Sequence, residues 1–372
     1  MSQAPVAVSI LTGFLGAGKT TLLNRLLKEP DLGETAVIIN EFGEVSLDHL
    51  LVEQATEGII ELAGGCLCCT VRGDLVDTLA DLIDRMQTGR IAPLKRIVIE
   101  TSGLADPVPV LQSVMGHPAL VHALRLDGVV TVVDAVNGAA TLDAHETALR
   151  QVAVADRLVL TKASMAGGET VARLSRRLGQ LNPAAPLLDA EAGTLRVSAL
   201  FDCGLYDPAT RTADVRRWLG ETRDHTPHDH HHHHHDDHGH EHHHHHHDDR
   251  IRTFTLEHDQ PVDAGALEMF LDLLRMTQGE KLLRMKGIVQ LAEDPDHPVA
   301  IHGVQKIIHP PASLPAWPGG DRFTRLVLIT MDLPEDYVRR LFSAVTAMPA
   351  VDTPDRAALA ENPLAVPGLK LG

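Results

Sequence analysis

Short, almost continuous runs of apolar residues recur along the N-terminal half of the chain, and polar loops follow them. The first run, at residues 6–12, leads into a glycine-rich loop and then into a helix-like pattern at residues 19–28. Strands buried on both faces of a parallel sheet read as continuous apolar runs of this kind. Further runs lie at residues 36–39, 58–62, 96–99, 128–133 and 158–161.

Amphipathic helix-like patterns separate most of these runs, notably at residues 74–86 and 170–181. Strands that alternate with helices predict an α/β fold, here a doubly wound, mostly parallel sheet. We expect this domain to occupy residues 1–223, with the glycine-rich loop at the end of its first strand.

A different pattern begins near residue 250. A strand at 251–256 and a helix from about 263 to 275 precede three strand-like runs, and a helix at 334–347 follows them. This order predicts a smaller α+β domain with an antiparallel sheet at residues 250–348, followed by a flexible tail at 349–372. The three strand-like runs lie near residues 282–291, 299–308 and 322–331.

Residues 224–249 form a low-complexity tract that holds 16 of the 24 histidines. Such a segment buries too little apolar surface to offset its ordering entropy, so it is predicted to be a disordered linker between the domains. Imidazoles mixed with carboxylates also form a low-specificity chelator for Zn²⁺, Ni²⁺, Cu²⁺ or Co²⁺. A solvated spacer with incidental metal affinity is the alternative.

Composition narrows the classes of function. The net charge of −17 and the aromatic content of 3% argue against a nucleic-acid partner. No apolar run approaches the roughly 20 residues of a membrane span, and residues 1–5 show neither the basic region nor the cleavage site expected of a signal peptide. The four cysteines form no spread-out framework, which favours a reducing cytoplasm.

The glycine-rich loop reads Gly-Phe-Leu-Gly-Ala-Gly-Lys-Thr at residues 13–20. It follows a predicted strand and opens a predicted helix, the context in which a phosphate-binding loop is found. Lys19 is expected to pair with the β and γ phosphates, and the Thr20 hydroxyl to bind Mg²⁺. The predicted nucleotide-binding residues here are Gly13, Gly16, Ala17, Gly18, Lys19, Thr20 and Thr21.

Two further segments follow predicted strands. Glu100 directly follows the apolar run at 96–99 and is a candidate to hold Mg²⁺ or its water. Gly103 can offer its N–H to a γ-phosphate. We assign both, with Lys19 and Thr20, to the catalytic group. Acidic residues around a glycine at 40–48 suit a switch segment that orders around Mg²⁺ and γ-phosphate.

The sequence signal for the residues that bind the nucleotide base is weaker than the signal for the phosphate-binding loop. Thr161-Lys162-Ala163-Ser164 stands where guanine-specific proteins usually place Asn/Thr-Lys-x-Asp. We take Thr161, Lys162 and Ser164 as base-site residues. Since Ser164 has no carboxylate, guanine preference should be weaker than this motif implies or should be supplied by other groups.

Three cysteines, Cys66, Cys68 and Cys69, lie within one tetrapeptide just before a predicted helix. Thiolates are favoured near a helix N-terminus and are soft ligands for zinc. With one oxygen or nitrogen ligand they would form a tetrahedral Zn²⁺ site, or a Co²⁺ site of lower affinity. A redox pair of Cys66 and Cys69, or inert packing, is the alternative reading. Cys203 is read as an ordinary small apolar residue.

Together these motifs resemble the CobW-type metallochaperone GTPases, relatives of UreG and HypB in the SIMIBI class of P-loop proteins. The resemblance runs from about residue 6 to residue 345. It rests on residues 11–21, 40–44, 65–69, 100–107 and 127–130, and on 281–287 and 302–305 in the second domain.

This resemblance implies slow GTP hydrolysis coupled to capture of a transition metal and its delivery to a client protein. The metal is usually zinc, and in some members cobalt for cobalamin synthesis. By matching motif, the resemblance implies that Cys66, Cys68 and Cys69 bind the metal and that Glu100 lies in the region that binds Mg²⁺ and the γ-phosphate. Residues 161–164 would bind the nucleotide base. Cobalt delivery, a histidine-rich storage protein with a slow nucleotide-hydrolysing domain, and an oligomer all remain open.

We expect the zinc capacity of the histidine tract to fall as pH drops through about 6.5, because neutral imidazole is the ligand. Zinc titrations at about pH 7.5 and about pH 5.5 measure this change. A chain lacking residues 225–247 serves as the control. Equal capacity at both pH values would reject imidazole as the ligand.

Overall fold

The computed structural model describes residues 5–40, 59–62, 70–118, 120–193, 195–201, 203, 250–317 and 322–346. Side chains at 40, 59–62 and 70–74 are outside the description, as are the predicted linker at 224–249 and tail at 349–372.

Seven parallel strands form the first sheet, and six of them correspond to the predicted apolar runs. Their order is β3-β2-β4-β1-β5-β6-β7. The strands are β1 (Val6–Thr12), β2 (Thr35–Asn40), β3 (Ile59–Leu62), β4 (Arg96–Thr101), β5 (Leu124–Asp134), β6 (Arg157–Thr161) and β7 (Leu187–Asp189).

Each of the described helices next to this sheet packs its buried apolar residues against it. They are α1 (Lys19–Leu26), α2 (Thr70–Gln87), α3 (Val108–Gly116), α4 (Gly138–Ala144), α5 (Glu146–Ala153), α6 (Gly168–Leu181) and α7 (Val197–Leu200). Every residue of β1 is buried, so the strand that feeds the glycine-rich loop lies at the centre of the core. Its neighbours are β4 and β5, and their carboxyl ends therefore meet the glycine-rich loop at one edge.

The second sheet is antiparallel, with the order β11-β10-β9-β13-β8 and a short β12 paired to β10. Helices α8 (Ala264–Gln278) and α9 (Glu335–Thr346) cover one face. The strands are β8 (Ile251–His258), β9 (Leu282–Val289), β10 (Val299–Val304), β11 (Ile307–Ile308), β12 (Ala312–Ser313) and β13 (Thr324–Met331).

The predicted fold class is confirmed, with differences of detail. The run predicted at 299–308 is broken into β10 and β11, because Gln305 turns the chain with φ +52° and pairs Val304 with Ile307. The sequence prediction omitted β7, whose side chains are exposed or half-buried and form no apolar run. None of the described helices is long and apolar enough to cross a membrane.

The two sheets share one hydrophobic cluster. Ile251, Leu283, Val304, Ile329 and Met331 of the antiparallel sheet belong to the same buried cluster as the strands and helices of the first sheet. Other residues of β9 and β13, among them Met285 and Leu328, belong to a second buried cluster with residues of α8 and α9. The antiparallel sheet is therefore buried on both faces, and one of these faces packs on the first domain.

A buried carboxylate reinforces this contact. Asp156, 4% exposed at the start of β6, accepts the Val129 N–H at 2.9 Å and Arg284 Nη2 at 2.7 Å. Lys286 also donates to it. Arg284 donates a further hydrogen bond to the Val154 carbonyl at 3.1 Å. Thus β5, β6 and β9 are joined through one side chain.

Charge keeps this carboxylate ionised. Burial opposes ionisation of Asp156, but Arg284 and Lys286 hold its pKa to about 2, from an ordinary 3.8. Burial lowers the pKa of Lys286, so the permanently charged guanidinium of Arg284 is the firmer counter-charge. An exposed pair also joins the domains, with Arg250 donating to Glu146 at 2.8 Å and to Asp332 at 3.0 Å.

We expect Asp156→Asn to lower the free energy of unfolding by about 3–5 kcal/mol, because it leaves buried cations without their partner. Asp332→Asn is the matched control; its exposed ion pair contributes about 1 kcal/mol or less. Denaturant titration at neutral pH measures both.

The same pair sets a pH dependence. Because the pKa of Asp156 is lowered by folding, its stabilisation is present at neutral pH and is lost as pH falls from about 4 to about 2. The stability difference between the wild type and Asp156→Asn should shrink over that range. A difference that stays constant would contradict the assignment.

Candidate nucleotide site

The glycine-rich loop wraps the N-terminus of α1. Gly13 has φ +140°, and a Cβ there would lie 2.3 Å from the Val132 carbonyl oxygen of β5, so only glycine fits. Lys19 is the first residue of α1 and is 8% exposed; its Nζ donates to the Gly13 carbonyl at 3.0 Å. The loop therefore curls over its own lysine at a helix N-terminus, an arrangement that suits phosphate groups.

Thr20 and Glu100 meet beside this loop. Thr20 Oγ1 donates to Glu100 Oε1 at 2.8 Å, and Glu100 is 3% exposed at the end of β4. A hydroxyl and a carboxylate held together next to a phosphate-binding loop are hard oxygen donors, the set that Mg²⁺ prefers. The two residues predicted for magnesium thus fit that ion. Thr21, also predicted for the nucleotide, is exposed on the first turn of α1.

The segment after β4 lies against the glycine-rich loop. A Cβ on Gly103 would lie 2.7 Å from the Leu15 nitrogen and 2.8 Å from its Cα, so the two backbones touch. From the other side, Gln151 Nε2 of α5 donates to the carbonyls of Gly103 at 3.3 Å and Ala105 at 3.0 Å. No motif in the sequence points to Gln151, because its partners Gly103 and Ala105 lie 48 and 46 residues away along the chain.

Residues 161–164 lie on the opposite flank of the loop. Thr161 Oγ1 donates to the Ala17 carbonyl at 2.7 Å, and Lys162 Nζ donates to the Gly16 carbonyl at 2.8 Å. Lys162 has φ +57°, which turns the chain sharply at the end of β6. Ser164 is exposed, and its backbone N–H donates to Glu191 Oε2 at 2.7 Å.

Asp134, at the end of β5, holds Lys162 in place and was not predicted. Its Oδ2 accepts Lys162 Nζ at 2.8 Å and Asn137 Nδ2 at 3.0 Å, and its Oδ1 accepts the Val136 N–H at 2.7 Å. Burial opposes its ionisation, but the hydrogen bonds from Lys162 and Asn137 lower the pKa of Asp134. A fixed negative charge therefore orients the lysine over the loop.

A cavity of about 240 Å³ opens beside the loop, between β5 and helices α4 and α5. Its lining includes Gly16, Ala17, Asp134, Gln151 and Lys162. Three of these five were predicted for nucleotide binding, so the predicted residues line a recess rather than a flat surface.

Cys66, Cys68 and Cys69 lie outside the described residues, as do the predicted switch residues 41–48. The elements around the cysteines are described: β3 ends at Leu62 and α2 begins at Thr70. Within the described part of the chain no group of three or more His, Cys, Asp or Glu could hold a metal ion. Cys203 is 5% exposed, and burial raises the pKa of its thiol to about 12, as expected of a packing residue.

Comparisons with known families match both domains. The model described as "CobW/HypB/UreG, nucleotide-binding domain" covers residues 7–189, and the model of the cobalamin synthesis protein cobW C-terminal domain covers residues 251–346. The chain belongs to the CobW family.

Two named relatives match more than nine-tenths of this chain. The "Zinc chaperone YjiA" of Escherichia coli (strain K12) is 33% identical over 344 residues, which span 92% of this chain and 99% of the relative. The "Zinc chaperone CobW" of a Sinorhizobium species is 30% identical over 93% of this chain and 98% of its own length. The crystal structure of Zn(II)-bound YjiA GTPase from E. coli matches with a TM-score of 0.65 at 31% identity, covering 92% of this chain and 99% of that one. The prediction of a P-loop GTPase of this family is confirmed.

We expect Gly103→Ala in this CobW-family chain to slow GTP hydrolysis roughly 100-fold, because a shift near 1 Å at the reacting groups has about that effect. The added methyl would push the segment after β4 away from Leu15. Phosphate release at saturating GTP measures the loss. Gly179→Ala in α6, whose Cβ would meet nothing within 4 Å, is the control. A wild-type rate in Gly103→Ala would refute the role of this contact.

Proposed function

We propose that the chain is a GTP-hydrolysing metallochaperone that binds zinc at Cys66, Cys68 and Cys69 and transfers it to a client protein. Relatives named as zinc chaperones and a relative solved with Zn(II) support the metal. The yeast relatives named "Zinc-regulated GTPase metalloprotein activator 1" support a protein client.

The observation that carries the proposal is the register of β2 between β3 and β4. Asn40 is the Cα partner of Leu62 on one side and of Thr101 on the other. Two strand spacings, about 10 Å, thus separate the strand that leads into the cysteine segment from the segment that would contact a γ-phosphate. The strand that leads into the cysteine segment and the strand that leads into Gly103 therefore end at the same edge of the sheet, which supports a link between the two proposed sites.

In this proposal the loop at residues 13–20 and Lys19 bind the phosphates of GTP, with help from the N-terminus of α1. Thr20 and Glu100 would hold Mg²⁺, which when bound neutralises charge on the β and γ phosphates. Lys162, fixed by Asp134 and the Gly16 carbonyl, would lie along the base.

Sensing of the third phosphate would fall to Gly103. Its N–H would face the γ-phosphate while Gln151 holds the carbonyl side of the segment and Leu15 limits its approach. Loss of that phosphate would free the segment, and the change would pass along the ends of β4 and β2 to the residues at 40–48 and 63–69. A coupling of 1–3 kcal/mol corresponds to roughly a 5- to 150-fold change in affinity.

The three thiolates suit the cargo. Zinc takes a tetrahedral set of sulfur and nitrogen or oxygen ligands, and Co²⁺ accepts the same set with lower affinity. Because α2 begins directly after Cys69, at Thr70, its N-terminus would favour the thiolate form. Two or three thiolates with one exchangeable ligand would hold zinc yet let a client displace it.

A metal-storage function is the second candidate, favoured by the 16 histidines of residues 224–249. In that case the histidine tract holds the metal and the nucleotide domain is a slow, nearly idle switch. Deleting residues 225–247 would abolish a storage function, whereas a chaperone would mainly lose capacity.

The decisive test measures zinc affinity by competition with a chromophoric chelator in a chain that lacks residues 225–247. We expect roughly a 5- to 150-fold difference between the Mg²⁺–GTP-analogue and Mg²⁺–GDP states. By reciprocity, zinc should change GTP affinity by the same factor. Cobalt titrated in parallel should show the same dependence at lower affinity.

Two variants serve as controls for this titration. Replacing Cys66, Cys68 and Cys69 by serine should abolish the nucleotide dependence. Cys203→Ala should keep it, because Cys203 is buried and burial raises the pKa of its thiol to about 12. Indistinguishable zinc affinities with the two nucleotides in the intact cysteine loop would refute the proposal.

A further inference from the structure

Recognition of guanine needs an acceptor that Ser164 lacks. The guanine edge offers an N1–H and a 2-amino group as neighbouring donors, and a carboxylate accepts both in a charge-assisted pair. Serine at this position has one hydroxyl, which accepts more weakly and at one point.

Every other feature of the base loop is in place. Thr161 is bonded to the Ala17 carbonyl, and Lys162 spans from the Gly16 carbonyl to Asp134. The loop is thus docked on the phosphate-binding loop as a base-binding segment should be. Asp134 is engaged by Lys162 and Asn137, so its carboxylate is committed to holding the lysine.

Glu191 brings a carboxylate to this loop from the neighbouring strand. Strand β7 pairs in parallel with β6, with Leu160 opposite Asp189, so the residues that follow both strands lie at the same edge. The Ala190 N–H donates to the Leu160 carbonyl at 2.8 Å, and the Glu191 N–H donates to Asp189 Oδ1 at 2.8 Å. These two bonds fix the turn that carries the Glu191 side chain.

The side chain of Glu191 then reaches the residue where the aspartate is missing. Its Oε2 accepts the Ser164 backbone N–H at 2.7 Å, and both residues are exposed to solvent. A carboxylate has about four acceptor sites, so one bond from Ser164 leaves room for two further donors.

We propose that Glu191 supplies the carboxylate that reads the guanine N1–H and 2-amino group in this chain. The inference rests on the proposed assignment of residues 161–164 to the base. Adenine presents an unprotonated N1 at the same edge, so the Glu191 carboxylate repels it, and preference for guanine persists despite Ser164. The residue that determines the base is therefore displaced from β6 to the end of β7.

Competition for a fluorescent GDP on the full chain, with GDP, ADP and XDP as competitors, tests this assignment. Glu191→Gln should weaken GDP about tenfold or more, as expected for loss of charge-assisted hydrogen bonds. It should strengthen XDP, because the glutamine amide can donate to the 2-oxo group of xanthine. Ser164→Asp combined with Glu191→Ala should recover the GDP preference that Glu191→Ala loses.

Glu169→Gln, another exposed acid on the first turn of α6, is the matched control and should leave all three affinities unchanged. Unchanged ratios of the affinities for GDP, ADP and XDP in Glu191→Gln would overturn the inference and leave Glu191 as a support for the turn at 163–165.

Lys162→Ala distinguishes a failure of the role proposed for Glu191 from a failure of the assignment of residues 161–164 to the base. If it weakens GDP while Glu191→Gln does not, only the role of Glu191 fails; if neither variant affects GDP, the base assignment fails as well.

Discussion

Asp156 lies buried between the two sheets, and its carboxylate binds the Val129 N–H of β5 together with Arg284 and Lys286 of β9. Removing one partner of such a pair leaves a buried charge without its counter-charge and is strongly destabilising, so the two domains depend on keeping this contact intact. Because β5 also borders the strand that feeds the glycine-rich loop, the antiparallel sheet is held against the back of the nucleotide domain. The second domain is therefore part of the frame on which the nucleotide site is built.

The segments proposed to bind the nucleotide and the metal all come after strands that end at one edge of the parallel sheet. The glycine-rich loop follows β1, Gly103 follows β4, the segment proposed to bind the base lies at the end of β6, and the cysteines come after β3 along the chain. Among the described segments, Gly103 touches the backbone of Leu15 in the glycine-rich loop, and Thr161 and Lys162 donate side-chain hydrogen bonds to the Ala17 and Gly16 carbonyls of the same loop. The proposed link between nucleotide and metal needs no relay through the core, only motion along this edge.

Sequence reasoning predicted what depends on local pattern. Apolar runs predicted six of the seven parallel strands, and the spacing of Gly13, Gly18 and Lys19 predicted the phosphate-binding loop. Gly13 is required because a Cβ there would collide with the Val132 carbonyl, and Gly18 is favoured because its φ is +93°. Sequence reasoning could not find partners that only folding brings together: Asp156 meets Arg284 at a separation of 128 residues, and Glu191 meets Ser164 at 27. In the sequence, Asp156 follows a helix and is typical of a turn. Glu191 follows the short, exposed β7 and is typical of a solvated surface residue.

The central claim is that thiolates hold zinc in a manner set by the third phosphate. Zinc K-edge X-ray absorption on the full chain, with one equivalent of zinc, reads the ligands directly. We predict sulfur ligands at about 2.3 Å whose number or distance differs between the GTP-analogue and GDP states. A shell of nitrogen and oxygen alone, the same with either nucleotide, would contradict the account and assign the metal to the histidine tract.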